Sequence, residues 1–328
     1  MDEIRLGTVG SGRIVHTILD QVARTDGIRL TAVYSRGEDT GRALASEYGA
    51  GRIYTDLDAF LADEEMNFVY IATPNSLHYE QTKKALLAGK NVICEKPFCA
   101  RADQAKELVD LAKRKHLFLV DAVPTTFLPN FGILKRELPK IGKVRLVQGN
   151  YSQYSDRYDR LLAGELPNVF NPAYAGGCLM DINFYNVYLN VALFGSPVEA
   201  VYHPNLYNGM IDTSGVMVMR YDGFVSESAG AKDTWGENFF LIEGEQGYIY
   251  VVNGSNGLAE IKVVTKTSTE VFNEQPDPER RYYEVRGLTR LVLSGDYDAI
   301  CARLDLMLDV ISIIEASRRQ AGILFPGD

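Results

Sequence analysis

From Ile4 to Val120 the chain alternates short apolar runs with helical periods, and few folds accommodate that rhythm. The runs are Ile4–Val9, Leu30–Tyr34, Phe68–Ala72, Val92–Cys94 and Leu117–Val120, with amphipathic segments near 14–23, 39–48, 76–88 and 102–113 between them. Strand, helix and strand repeated this often predict a parallel sheet with helices on both faces. The Val, Ile and Leu content of the runs is what strands buried on both sides require. From about Lys143 the pattern changes to longer alternating segments, Val144–Tyr151, Val216–Tyr221 and Phe239–Glu243, with a hairpin expected at Gly244-Glu245-Gln246-Gly247. Apolar helices are expected near 179–194 and 297–319. The fold class is therefore α/β with a doubly wound parallel sheet over 1–122, then an α+β domain over 123–328 with a large, mostly antiparallel open sheet.

Composition narrows the function classes. The chain has 328 residues, 46% hydrophobic and 23% charged, with a formal net charge of -9. With no basic run to neutralise phosphates, nucleic acid is not an expected partner. No uninterrupted apolar stretch reaches the roughly 18 residues of a membrane span, and the opening Met1-Asp2-Glu3-Ile4-Arg5-Leu6 has no secretory core, so a cytoplasmic protein is expected. Cys94, Cys99, Cys178 and Cys301 lack metal-ligand or redox-pair spacing, and the four histidines form no H-E-x-x-H arrangement. Free thiols and no metal are expected. An antiparallel sheet needs only one face covered by its own helices, so the other face is expected to meet further copies of the chain, as a homodimer or higher homo-oligomer.

Gly10 and Gly12, followed by Arg13 and Ile14, lie between a strand and a helix, the setting of a Rossmann dinucleotide loop. There the backbone must turn tightly and approach a pyrophosphate at the helix N-terminus. Val15 fills the third small position, a departure from the strict pattern. About 20 residues on, where an acid would hold the ribose of NAD, the second strand ends in Ser35-Arg36. A hydroxyl and a guanidinium suit a 2′-phosphate, so NADP is expected over NAD, with NAD possible. Thr73-Pro74-Asn75 and His78 follow the next strand at the ligand-binding end of the sheet, where Asn75 or Ser76 can also cap a helix.

Glu95-Lys96-Pro97 follows the buried run Asn91–Cys94, which places Lys96 just past a central strand, where open α/β sheets bind ligands. In the second half, Asp181 and Tyr185 are four apart and share one helix face. With Lys96 they make an ammonium, a carboxylate and a phenol, a set able to move a proton, since an ammonium beside a phenol favours the phenolate.

Taken together, Gly10-Ser11-Gly12-Arg13, Ala72-Thr73-Pro74-Asn75, Glu95-Lys96-Pro97, Ile141-Gly142-Lys143-Val144 and Gly176-Gly177 leading to Asp181 resemble the Gfo/Idh/MocA oxidoreductases over nearly the whole chain. The resemblance implies that Lys96 and Asp181 surround the reacting carbon. Tyr185 stands where many members carry histidine, which is similar to the branch holding glucose-fructose oxidoreductase and the dimeric dihydrodiol dehydrogenases. Asn183, where glycine is usual, and Thr126, where arginine is common, are expected to reshape the substrate pocket. The implied activity is hydride transfer between nicotinamide and a hydroxyl or carbonyl carbon of a sugar, cyclic polyol or dihydrodiol. Tyr185 would take the hydroxyl proton, Lys96 would stabilise charge on oxygen, and Asp181 would orient them. Thr73, Pro74, Asn75, His78, Glu95 and Lys96 join Gly10, Gly12, Arg13, Ile14, Ser35 and Arg36 in the expected cofactor set. Two rival readings stay open: a glycosidase acting by transient oxidation and elimination on bound NAD, and a non-catalytic NADP sensor.

Overall fold

The computed structural model describes residues 2–328. Two compact units emerge, one formed by residues up to Val123 together with Glu279–Leu308, the other by Pro124–Pro278 with Asp309–Asp328. The division differs from two uninterrupted stretches, 1–122 and 123–328, because a late segment of chain packs with the first.

The first unit holds six parallel strands, β1 (Ile4–Val9), β2 (Ile28–Tyr34), β3 (Arg52–Tyr54), β4 (Phe68–Ile71), β5 (Asn91–Glu95) and β6 (Leu119–Ala122), in the order β3-β2-β1-β4-β5-β6. That order reverses between β1 and β4, the switch point at which such sheets leave a crevice past their carboxyl ends. The helices are α1 (Arg13–Val22), α2 (Glu38–Tyr48), the short α3 (Leu57–Leu61), α4 (His78–Leu87) and α5 (Ala102–Lys115). In α1, Val15, Ile18, Leu19 and Val22 form one buried stripe at helical spacing. Burying each is worth about 1.5–3 kcal/mol. Ten residues would be a marginal helix alone, so packing holds it.

The second unit opens with α6 (Pro129–Glu137), β7 (Val144–Ser152), α7 (Asp156–Leu162) and α8 (Phe184–Phe194). It continues with β8 (Glu199–Tyr207), β9 (Ile211–Tyr221), β10 (Phe224–Ala231), β11 (Phe239–Gly244), β12 (Gly247–Val252), the single turn α9 (Gly254–Gly257), β13 (Glu260–Thr265) and β14 (Thr269–Phe272). The eight strands run β14-β13-β12-β11-β7-β10-β9-β8, antiparallel except where β10 meets β7. The expected hairpin is present, with Gly244 paired to Gly247.

Asn183, just before α8, and Asn186 and Asn190 within it set the register on β10. Asn183 donates to the Ser228 carbonyl at 2.9 Å, Asn186 to Ala229 at 2.8 Å, and Asn190 accepts from the Ser226 hydroxyl at 2.8 Å. Asn183 is fully buried, and a side chain on Gly230 would collide with its Cβ. Asn183 therefore pins the helix to the sheet, contrary to the expectation that it shapes a pocket.

Two further helices end the chain, α10 (Arg280–Leu293) and α11 (Tyr297–Gln320). In the first unit α10 packs on α1, and Arg303 of α11 donates both its Nε and Nη2 hydrogens to buried Asp121 of β6, each at 3.1 Å. Arg281 and Glu284 of α10 form an ion pair at 2.6 Å, both nearly sealed from solvent.

Candidate active site

At the switch point, Val9 of β1 lies beside Ile71 of β4. Gly10 follows with φ +119°, and a Cβ there would lie 2.6 Å from the Ala72 carbonyl oxygen. Both strain and contact demand glycine. Gly12 differs, being exposed with an ordinary φ of -79°, and a Cβ built on it meets nothing within 4 Å. The protein itself does not require glycine at 12, whereas a group lying against the loop would. No side chain caps α1 and no acid occupies its first turn, so the helix N-terminus at Arg13 and Ile14 suits an anion. The donor set fits a dinucleotide pyrophosphate.

Ser35, buried at the end of β2, donates its backbone N–H to Tyr54. Arg36 beside it is exposed, and among the described residues its guanidinium has no ion-pair partner. A basic group kept in water at that position fits a 2′-phosphate.

After β4, Pro74 leads into a single turn over 75–77 and then α4. Pro74 and Leu77, the residues that open the turn and α4, have no capping side chain, and Asn75 and Ser76 lie inside the turn between them. Thr73 donates its hydroxyl to Gln81 at 2.6 Å. His78 is 1% exposed, with Nδ1 at 2.9 Å from the Pro97 carbonyl and Nε2 at 2.8 Å from the Thr73 carbonyl. Both nitrogens face main-chain carbonyls, which favour the doubly protonated ring, but burial outweighs them and pushes the ring toward the neutral form, in which one nitrogen donates. His78 ties the Thr73 loop to the Lys96-Pro97 loop and positions both. Glu95 is buried too, accepting the Tyr70 hydroxyl at 2.8 Å and the Lys96 backbone N–H at 3.3 Å. Only Lys96 of this tripeptide is partly exposed, after which the chain passes through a cis Lys96–Pro97 bond.

The second unit carries the other group. Asp181 lies in a π-helical turn, Leu179–Asn183, that precedes α8, where a continuous α-helix was expected; such turns concentrate at functional sites. Tyr185 follows one turn on, 3% exposed, its ring edge-on to Tyr151 with centroids 5.9 Å apart. Lys232, in the loop after β10, reaches Asp181 Oδ2 at 2.5 Å with its own side chain only 7% exposed. The sequence reading missed this lysine. No motif surrounds it, and only the pairing of β10 beside α8 brings it to the carboxylate.

Asp212 fixes the start of that helix. It accepts the Leu179 N–H at 2.6 Å and the Tyr202 hydroxyl at 2.7 Å. A Cβ on Gly177, whose φ is +106°, would lie 2.1 Å from Asp212 Oδ1, so the glycine before the Asp181 turn makes room for the carboxylate that orients it. Burial raises the Asp212 carboxyl from 3.8 to about 6. A carboxyl raised in the folded state holds its proton more tightly than in the unfolded chain, so its contribution to stability is present below pH 4 and lost as pH rises through 6. Relative to Asp212→Asn, the wild type should lose about 2–3 kcal/mol between pH 4 and 7. Urea unfolding of both proteins at the two pH values measures this difference, and a constant gap would refute it.

A glycine cradle at a Rossmann switch point, joined in one chain to an antiparallel-sheet domain bearing carboxylate, phenol and ammonium, defines a two-domain, dinucleotide-dependent oxidoreductase. Residues 4–121 match the oxidoreductase family model with the NAD-binding Rossmann fold, and 139–250 match the GFO/IDH/MocA C-terminal domain. The chain belongs to the Gfo/Idh/MocA oxidoreductase family. It is 33% identical over 326 residues to scyllo-inositol 2-dehydrogenase (NADP(+)) of Bacillus subtilis, covering 99% of each protein. It is 24% identical to trans-1,2-dihydrobenzene-1,2-diol dehydrogenase of Sus scrofa, again over 99% of each. The fold matches that of KijD10, a 3-ketoreductase of Actinomadura kijaniata solved with NADP and TDP-benzene, with a TM-score of 0.86 at 21% identity over 99% of this chain and 100% of that one. No helix among the described residues is long and apolar enough to cross a membrane.

Proposed function

We propose that this protein is an NADP-dependent dehydrogenase or reductase acting on a CH–OH or carbonyl carbon of a sugar, cyclic polyol or dihydrodiol. The observation that carries the reading is the cradle at Gly12, open where a side chain would project, at the uncapped N-terminus of α1 and the switch point of the sheet. The names of the inositol and dihydrodiol dehydrogenase relatives support the substrate class.

When bound, the nicotinamide supplies a two-electron hydride acceptor. In oxidation the carbinol C–H bond would break with both electrons leaving as hydride, the O–H proton would pass to the oxygen of Tyr185, which enters the step as phenolate, and a C=O bond would form. Lys96 stabilises the charge that develops on oxygen before the carbonyl is complete. Asp181, its carboxylate fixed by Lys232, orients the reacting hydroxyl. Gly10, Gly12, Arg13 and Ile14 would hold the pyrophosphate, Thr73, Pro74 and Asn75 would border the cofactor, and Ser35 and Arg36 would take the 2′-phosphate. His78 and Glu95 act behind them as positioning residues.

A screen of aldoses, inositols and dihydrodiols with NADP and NAD, read at 340 nm, tests the proposal. Reduction of NADP by at least one polyol is expected. Glycoside cleavage without net change in absorbance, or no turnover of any compound, would overturn it. Arg36→Ala should raise KM for NADP by about 10–100-fold, the loss of a charge-assisted contact, while KM for NAD changes little. Equal effects on the two cofactors would remove Arg36 from the 2′-phosphate site.

The uncovered face of the second unit's sheet carries partly exposed Leu146, Val218, Val225, Tyr248 and Val252. We propose that this face joins copies of the chain into a homodimer or larger assembly. Light scattering should then give a mass at least twice the 36.5 kDa of one chain at micromolar concentration.

A further inference from the structure

We propose that Trp235 and Tyr154 form an aromatic platform that binds a second sugar ring, so that the preferred substrate is a glycoside or disaccharide rather than a free monosaccharide. This rests on the polyol reading above and extends it.

Trp235 is 80% exposed, yet its ring is not loose. It stacks on Tyr154 with centroids 5.7 Å apart and planes 7° from parallel. Tyr154 meets Tyr158 edge-on at 6.0 Å, and Tyr158 meets fully buried Phe170 at 6.1 Å, so a file of rings runs from the core to the surface. The Tyr154 hydroxyl donates to Asp159 at 2.6 Å, which fixes that ring's rotation.

The loop bearing Trp235 is anchored on both sides. Before it, Ser155 donates its N–H to the Lys232 carbonyl at 3.0 Å, and Asp233 accepts from Thr213 and Ser214. After it, Asn150 donates to the Glu237 carbonyl at 2.7 Å, and Asn238 accepts the Ser152 N–H at 2.8 Å. A large indole is thus held in water by a fixed loop, at the cost of leaving apolar area unburied. A ring already immobile loses little entropy on binding, which is what a recognition surface needs.

Location and charge identify the occupant. Trp235 lies three residues from Lys232, the partner of Asp181, so at most about 11 Å of chain separates the platform from that ion pair. This is within the span of a short saccharide whose other end reacts. A flat indole face suits the C–H face of a pyranose, and the second carboxylate oxygens of Asp159 and Asp233, whose first oxygens hold Tyr154 and the Thr213 and Ser214 hydroxyls, can accept hydroxyl protons. A nucleoside diphosphate fits poorly, because Lys232 and Arg160 are already paired with Asp181 and Glu165.

Trp235 is the chain's single tryptophan, so its fluorescence reports on the platform directly. The protein saturated with NADP is titrated with cellobiose, maltose and D-glucose, and turnover of the same sugars is followed at 340 nm. The disaccharides should give a saturable change in fluorescence that D-glucose does not match. Trp235→Ala should lower the ratio of kcat/KM for disaccharide over monosaccharide by about tenfold, through KM more than kcat. Tyr154→Ala should weaken the fluorescence response. Oxidation of sugars with an unchanged ratio and no disaccharide response overturns the platform and leaves the redox reading standing. A disaccharide response without turnover of any sugar overturns the redox reading and keeps the platform. A response to thymidine diphosphate instead, or a fall in assembly mass in Trp235→Ala, assigns the surface to a nucleotide or a second copy and ends the proposal.

Discussion

Replacing Lys96 by alanine is expected to lower kcat by about 100-fold or more while NADP still binds. The loss combines the charge stabilisation and the proton-transfer geometry that a positioned ammonium supplies, effects that each reach about 10²-fold or more. Its neighbours support a loss confined to chemistry. Glu95 is held by Tyr70, Pro97 is held through its carbonyl by His78, and neither contact uses the lysine side chain. The fold should therefore survive the change. Tyr185→Phe, which keeps the ring packed on Tyr151 and removes only the hydroxyl, should cost a similar factor. If both groups serve one proton transfer, the double variant should be scarcely slower than the worse single one. Stopped-flow and steady-state rates for the three variants measure this, and full activity in Lys96→Ala would remove the lysine from the mechanism.

Arg281→Leu should destabilise the protein by about 3–5 kcal/mol, the usual result of stripping a buried carboxylate of its partner. Glu284 is 2% exposed and its carboxyl is already raised by burial, with the Arg281 cation opposing the shift. Around it stand Leu6, Ile18, Tyr70, Ile93 and Leu288, lining a small cavity, and Arg280 acts on the carboxylate more weakly than Arg281 does. Adding Glu284→Leu to Arg281→Leu should restore most of the stability, because two well-packed apolar side chains replace a buried ion pair at little net cost. Urea denaturation of the single and double variants tests this. A single variant as stable as wild type would show that the pair is solvated in solution.

Much of the architecture was legible because it rests on local periodicity. The β1-to-β6 alternation, the glycine loop and the hairpin at Gly244 and Gly247 all follow from short-range chemistry. What escaped was held by long-range pairing. Helix α10 begins Arg280-Arg281-Tyr282-Tyr283-Glu284, where a buried charged pair interrupts the inward face before Val285, Leu288 and Val292 continue it as an apolar stripe. Lys232 is invisible as a site residue for the same reason, since its partner lies fifty-one positions earlier. His78 was legible as a residue near the cofactor loops, but sequence could not say that both of its nitrogens face carbonyl oxygens. Asn183 read as an oddity of the pocket because its role depends on the bare backbone of Gly230 across the sheet.

The placement of Glu279–Leu308 with the first unit bears on biogenesis. On the ribosome, the nucleotide-binding half emerges early but stays incomplete until the stretch from Glu279 to Leu308 has been made, with the apolar sheet surface awaiting α10 and the start of α11 uncovered in the meantime. Anyone grafting this half onto another enzyme would have to transplant two separate stretches of gene, because the first alone lacks its cover.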